Sequence, residues 1–287
     1  MKLDIVYTID KNYQIPFCVS LTSMLMNNVE VIGNVYLIHD KESRNRKFLK
    51  IKEFISEKFN KEIIEIIVDT SQYKKIKCEG HVTSVAYYRF SLADFLPVEV
   101  DKILYIDPDT IVTSKIGLLT SLQFDESTLL YAVDHKLNSA VRFKNVRPFL
   151  KKYFNTGVLF LDLKKWRSEN VSKELWDFAY NKPSEFQFWD QDIMNAVFWN
   201  RWKELPYEFN GFMRKKKPNK LPIIIHYTSP QKPWKVRCYN SLKIYYWKYW
   251  LKTPFFGASS ILIIAANLIV STIANNTRSL RKRSFSR

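Results

Sequence analysis

An apolar run, Lys102-Ile103-Leu104-Tyr105-Ile106, stops at two carboxylates one residue apart, Asp107-Pro108-Asp109. On extended backbone, side chains two positions apart share a face. Both carboxylates would then meet at the carboxyl end of a strand, where open α/β sheets receive their ligands. Two anionic groups in one place repel unless a cation sits between them, and hard oxygen donors suit Mn2+ or Mg2+. Asp-Pro-Asp is also good chemistry for a plain turn. The motif alone leaves both readings open.

Two other segments could share the site. Thr8-Ile9-Asp10-Lys11-Asn12-Tyr13 directly follows the strand-like Leu3–Ile9. Asp and Asn side chains can read a base or ribose edge, and a Tyr ring can stack on a base; Asp10 or Asn12 could equally cap the next helix. In Ile225-His226-Tyr227-Thr228-Ser229-Pro230-Gln231-Lys232-Pro233-Trp234, His226 closes an apolar strand and can be a metal ligand. Lys232 sits where a loop could return to a phosphate.

The elements that must position these residues alternate between strand-like and helix-like patterns, the mark of an α/β domain. Strands are expected at Leu3–Ile9, Asn34–Ile38, Glu62–Val68, Lys102–Ile106, Leu129–Val133, Val158–Leu161 and Ile223–Ile225. Helices are expected at Ile15–Met26, Ser43–Lys58, about Ser84 to Leu96, Lys164–Tyr180 and Trp189–Trp199. The six glycines form neither a GxGxxG nor a GxxxxGK pattern. A dinucleotide fingerprint and a P-loop are therefore excluded, and a diphosphate bound here would need a divalent cation instead.

Composition sets the outer bounds. With 287 residues, 46% of them hydrophobic, the chain can bury a sizeable core. A formal net charge of +17 implies attraction to an anionic partner. The basic residues are spread along the chain, so charge alone selects none. Three scattered cysteines, Cys18, Cys78 and Cys238, suit a reducing compartment rather than a disulfide framework.

Six motifs occur in order: Thr8-x-Asp10-x-Asn12-Tyr13, Tyr88-Arg89, Asp107-Pro108-Asp109, Phe154-Asn155-Thr156-Gly157-Val158, Trp189-Asp190-Gln191-Asp192, and His226-Tyr227 with Lys232-Pro233-Trp234. Over roughly residues 1–250 the chain resembles glycosyltransferase family 8, most closely the bacterial lipooligosaccharide galactosyltransferase type. The resemblance implies a nucleotide-diphospho-sugar transferase (GT-A type) fold, a mostly parallel central sheet with helices on both faces. It also implies a UDP-sugar donor, Mn2+ (or Mg2+), a glycan or glycolipid acceptor such as lipopolysaccharide, and transfer of galactose or glucose with retention of configuration. By the same resemblance Asp107, Asp109 and His226 hold the metal, and Thr8, Asp10, Asn12 and Tyr13 line the uridine pocket. Lys232 meets the diphosphate, and Arg89, Asp134, Asn155 and Asp190 hold the sugar. Gln191 lies beside the anomeric carbon, with Asp190 the second catalytic position. Ser229 departs from the pattern, standing where a glycine often approaches the diphosphate. A cation shared by Asp107, Asp109 and His226 requires their ligating atoms to converge within about 5 Å, since metal–ligand distances are about 2 Å.

The catalytic domain is expected over 1–238, followed by an aromatic and basic segment over 239–287. Phe255 to Ala274 carries no charge and lies between an aromatic run, Tyr245–Trp250, and a tail with Arg278, Arg281, Lys282, Arg283 and Arg287. Those flanks fit a membrane surface. The weakly polar stripe of Ser260, Asn267 and Ser271 favours a helix lying in the cytoplasmic face of a bacterial inner membrane over a spanning one. The competing classes are a basic nucleic-acid-binding protein and an inactive sugar-nucleotide-binding scaffold. The first needs aromatic and basic residues on one platform, whereas here the aromatics lie mainly in apolar strands and the C-terminal segment. Intact Asp107, Asp109 and His226 speak against the second.

Overall fold

The structure is a computed structural model and describes residues 2–73, 84–135, 152–181, 189–212 and 220–270. Its centre is a seven-stranded mixed sheet in the order β3-β2-β1-β4-β7-β6-β8. The strands are β1 (Leu3–Ile9), β2 (Ile32–Asp40), β3 (Ile63–Val68), β4 (Lys102–Ile106), β6 (Leu130–Asp134), β7 (Phe154–Asp162) and β8 (Trp202–Glu204). Pairs β3–β2, β2–β1, β1–β4 and β6–β8 are parallel, and β7 runs antiparallel to both neighbours. Most parallel pairs are joined by helices, among them α1 (Gln14–Asn28), α2 (Arg46–Phe59), α3 (Leu163–Ser168), α4 (Val171–Tyr180) and α5 (Trp189–Val197).

The period-two alternation of a strand sorts the core into two halves. Val6, Ile103, Tyr105 and Leu159 point to one face, packed with Trp166, Leu175 and Ile193. Ile5, Tyr7, Leu104 and Val158 point to the other, against Phe17, Leu21, Ile51 and Ile55. Both faces are covered, so the central strands are mostly apolar on both sides. In α2, Phe48, Ile51 and Ile55 form the buried stripe of an otherwise charged helix. Its start is capped by the Asn45 side chain, which accepts from the N–H groups of Lys47 and Phe48. It ends at Asn60 in the left-handed region, φ 50°. Each fully buried side chain of that stripe contributes roughly 1.5–3 kcal/mol, so Ile51→Asp would detach the helix.

A second, three-stranded sheet sits beside the first, in the order β5-β10-β9: β5 (Thr110–Val112), β10 (Ile224–His226) and β9 (Gly211–Phe212). Its strand β5 begins immediately after Asp109, so Pro108-Asp109 is the turn by which the chain passes from one sheet to the other.

Several local expectations need correction. The expected helix Lys164–Tyr180 is two helices, broken at Asn170, whose φ of 53° lies in the left-handed region that Asn tolerates. Ser84–Ser91 is a 3-10 run before a single α-turn, Leu92–Phe95. Most of the aromatic run at 245–250 is packed inside the protein: α6 (Lys243–Trp250) buries Tyr246, Trp247, Tyr249 and Trp250 in a cluster with Val19, Ile111, Ile225 and Tyr227. Trp247 donates to the Pro233 carbonyl at 3.0 Å, and Asn27 of α1 donates to the Tyr249 hydroxyl at 2.8 Å. A boundary at 238/239 thus separates α6 from a body whose core it completes.

Residues 258–270 form the last described helix; positions 271–274 of the expected apolar helix, Ser271 included, lie outside the described residues. Its polar side faces inward. Ser260 and Asn267 are buried, with Asn267 Oδ1 accepting from the Cys238 N–H at 2.8 Å and Nδ2 donating to the Lys235 carbonyl at 2.6 Å. Leu262 and Ile269 point away, 70% and 60% exposed. No helix among the described residues is long and apolar enough to cross a membrane.

Candidate active site

The carboxyl ends of β1 and β4, the start of β7 and the end of β10 meet at an open cavity of about 260 Å³. Thr8, Asp10, Tyr13, Arg89, Asp107, Asp109, Asn155, Asp190, Gln191, His226 and Lys232 all line it, as do Thr156 and Thr228. Asn12 and Asp134 do not. Asn12 is exposed in the loop before α1, and Asp134 lies at the end of β6, where Tyr153 N–H approaches it at 3.4 Å.

His226 reaches the carboxylates through strand pairing. In the antiparallel β5–β10 register Thr110 faces His226, and Tyr227 N–H donates to the Asp109 carbonyl at 3.0 Å. Asp107 and Asp109 converge by a different route from the one their spacing suggests. The strand has ended at Ile106, and the Pro108-Asp109 turn, closed by Thr110 Oγ1 donating to the Asp107 carbonyl at 2.9 Å, folds them together. One ligating atom from each of Asp107, Asp109 and His226 lies within 4.8 Å of the others, inside the limit a shared cation imposes. His226 Nε2 is 3.2 Å from Asp109 Oδ1 and 3.7 Å from Asp107 Oδ2.

Two features of this cluster fit a cation. Asp109 Oδ1 is buried and accepts no hydrogen bond, so a charged oxygen stands at the centre without a donor. Gly157 supplies the space: a Cβ there would stand 2.1 Å from His226 Cε1 and 2.7 Å from Asp107 Oδ2. The Asn155-Thr156-Gly157 segment belongs to β7, which begins earlier than the expected Val158, with the glycine against two of the three ligating side chains. Two carboxylates and an imidazole form a donor set that a divalent cation can use.

Positive side chains surround the carboxylates. Lys232 Nζ donates to Asp109 Oδ2 at 2.6 Å and to the Tyr227 carbonyl at 2.5 Å. Burial penalises the charge on Asp109, yet the Lys232 ammonium beside it holds its carboxyl well below the usual range. Arg89, buried over the Tyr105 ring, donates to Asp107 at 3.1 Å and to the Thr156 carbonyl at 2.8 Å, and it pairs with Asp190 at 3.3 Å. Burial, aided by the Asp107 charge, outweighs Arg89 and pushes Asp190 up to about 6.

The remaining residues show which structural duties accompany the site. Asp10 Oδ1 accepts from the N–H groups of Asn12 and Tyr13, so it caps the entry to α1 while lining the cavity. Thr8 Oγ1 lies 3.0 Å from the Tyr105 hydroxyl, which donates to Asp107 at 2.7 Å. Tyr13 meets Trp234 edge to face. The Ser229 hydroxyl is exposed and donates to Gln231 at 2.5 Å. Gln191 Oε1 accepts from Asn155 Nδ2 at 2.9 Å and Thr156 N–H at 3.3 Å. Sequence reasoning missed Asn210, which is fully buried 2.9 Å from His226 Nδ1; it carries no motif.

The chain matches the family model described as "Glycosyl transferase family 8" over residues 4–238. Among known sequences it is 30% identical over 196 residues to "General stress protein A" of Bacillus subtilis (strain 168), covering 62% of this chain and 68% of that one. It is 27% identical over 259 residues to a "Lipopolysaccharide 1,2-glucosyltransferase" of Escherichia coli (strain K12), covering 85% of this chain and 76% of that one. Among solved structures it superposes on the galactosyltransferase LgtC, in complex with donor and acceptor sugar analogs, with a TM-score of 0.78 at 20% identity. That match covers 91% of this chain and 100% of the other, and shows the shared GT-A type fold.

Proposed function

The chain belongs to glycosyltransferase family 8 and is a glycosyltransferase, and from that premise we propose that it transfers a hexose, galactose or glucose, from a UDP-sugar to a hydroxyl of a lipopolysaccharide-type glycolipid. The observation that carries this reading is the convergence of Asp107, Asp109 and His226 at one cavity with Arg89 and Lys232. The relative named as a lipopolysaccharide glucosyltransferase supports the acceptor class. Asp107, Asp109 and His226 would hold a divalent cation, Mn2+ by preference, which supplies charge stabilisation to a leaving diphosphate.

The side chains divide the remaining work. Tyr13 offers a ring to the uracil, and Thr8 and Asp10 offer polar atoms to the nucleoside. Lys232 carries the positive charge nearest the diphosphate position. Arg89 and Asp190, on the opposite side of the Asp107 carboxylate, hold sugar hydroxyls. Gln191 lies with its amide oxygen engaged by Asn155 and Thr156, a poor arrangement for a covalent nucleophile. A front-face displacement follows: the acceptor hydroxyl enters on the side from which the diphosphate leaves, its proton passes to a departing phosphate oxygen, and configuration is retained.

The outward apolar face of helix 258–270 supports docking on a membrane surface, with the basic residues that follow in sequence drawn to anionic lipid. A protein so docked at the cytoplasmic face of a bacterial inner membrane would meet its glycolipid acceptor there.

The test is a panel of UDP-sugars with Mn2+, scored for slow donor hydrolysis without acceptor. One hexose donor should be consumed, activity should vanish in chelator, and Mn2+ should restore it. Full turnover in excess chelator would remove the metal from the reading. Consumption of no UDP-sugar would remove the donor assignment.

A further inference from the structure

We propose that Asn210 is the positioning residue that sets the tautomer of His226, and that Asn155 ties this choice to the orientation of Gln191. The inference rests on the metal-centre reading above. Asn210 closes the 3-10 turn Tyr207–Asn210 just before β9 and is fully buried. Its Nδ2 is 2.8 Å from Asn155 Oδ1, and its Oδ1 is 2.9 Å from His226 Nδ1.

Which way round each amide lies follows from partners that have no choice. The Gly157 N–H can only donate, and it meets Asn155 at 3.0 Å, so the atom it meets is Oδ1. The Asn210 atom facing that same oxygen must then be the NH2 group. This leaves Asn210 Oδ1, which can only accept, against His226 Nδ1. That ring nitrogen therefore carries the proton. A neutral imidazole so fixed has its lone pair on Nε2, the nitrogen that faces Asp107 and Asp109.

The same logic runs the other way along the chain. Asn155 Nδ2 is left to donate to Gln191 Oε1, where a second fixed donor, Thr156 N–H, arrives at 3.3 Å. Gln191 Nε2 then donates to the Tyr153 hydroxyl at 3.0 Å, whose own proton goes to Asp192 at 2.5 Å. Both backbone donors demand the same sense, so no link is ambiguous. Reversing one amide would set like groups against each other in a buried place and leave both without a partner. One directed hydrogen-bond chain thus presents a bare Nε2 to the cation site and a fixed amide to the sugar side.

The experiment is Asn210→Leu, close in volume but without either polar atom. Mn2+ affinity is read by electron paramagnetic resonance of free Mn2+, with no donor present, beside thermal stability. The expected result is Mn2+ binding about 10–100-fold weaker than wild type, the usual cost of losing such a partner. Wild-type affinity in a folded Asn210→Leu protein overturns the inference while leaving the metal centre standing. A wild-type protein that binds no Mn2+ overturns the metal reading itself, and the inference with it. If Asn210→Leu does not fold, long-range 1H–15N NMR of wild-type histidine rings at alkaline pH decides. A proton on His226 Nδ1 supports the proposal, and a proton on Nε2 overturns it.

Discussion

Gly157→Ala puts a methyl group in place of a hydrogen where the site has no space for it. The new Cβ would lie 2.1 Å from His226 Cε1, against the 3.4 Å at which ordinary contact begins, so the gap must open by 3.4 − 2.1 = 1.3 Å. Asp107 Oδ2, at 2.7 Å, must also give way. Neither neighbour is a loose end. His226 is 4% exposed on a paired strand and bonded to Asn210, and Asp107 is bonded to Arg89 and Tyr105. Functional metal sites hold their distances to within about 0.2 Å, so a shift of this size removes His226 from the ligand set. Mn2+ affinity should fall by about 100-fold or more, beyond the roughly 10–100-fold that losing an outer-shell partner costs. Overpacking should cost a further 1–3 kcal/mol or so of stability. Isothermal titration of the donor-free protein with Mn2+, beside a thermal melt, measures both. A folded Gly157→Ala protein that binds Mn2+ like wild type would refute the placement of the cation between β7 and β10.

Further outcomes follow from the same geometry. Asp109→Ala should abolish Mn2+-dependent binding of the UDP-sugar rather than slow the chemical step alone, and equilibrium binding with and without chelator distinguishes the two. Asp190 has its pKa raised from 3.8 to about 6; folding therefore favours its neutral form, and stability is lost as pH rises from about 4 through about 6. The shift of 6 − 3.8 = 2.2 is worth on the order of 3 kcal/mol. Asp190→Asn should be the more stable protein by up to that amount above about pH 7 and equal to wild type near pH 4. Urea titrations at the two pH values check this, and a gap that does not narrow in acid counts against it. Leu262→Glu with Ile269→Glu, both on the outward face of helix 258–270, should leave the melting temperature and donor hydrolysis in place but end sedimentation with anionic-lipid vesicles. Unchanged sedimentation would exclude that face as the docking surface.

What the sequence alone determined is what local pattern can carry. Mostly apolar runs marked β1 and β4 to the residue, because strands covered on both faces carry few polar side chains. The order of six short motifs carried the resemblance to the family, and that resemblance named Asp107, Asp109 and His226 as the ligand candidates. The tertiary structure decided everything that depends on chain path. His226 lies 117 positions beyond Asp109 in sequence, and only the β5–β10 register sets it opposite Thr110. The turn at Pro108-Asp109, not a shared strand face, joins the carboxylates. Arg89 turned to Asp107 and Asp190 because β4 and α5 bring those acids to one buried point, while Asp134 ends a strand outside the cavity. The aromatic run at 245–250 went inward because α1 and the second sheet leave an apolar surface to cover. Helix 258–270 turns Asn267 inward beside Ile263 and Ile264 because Asn267 satisfies the Cys238 N–H and the Lys235 carbonyl. Asn210 could not be read in advance, since an asparagine in a loop has no periodicity; its meaning lies in the two buried partners that packing places on either side of it.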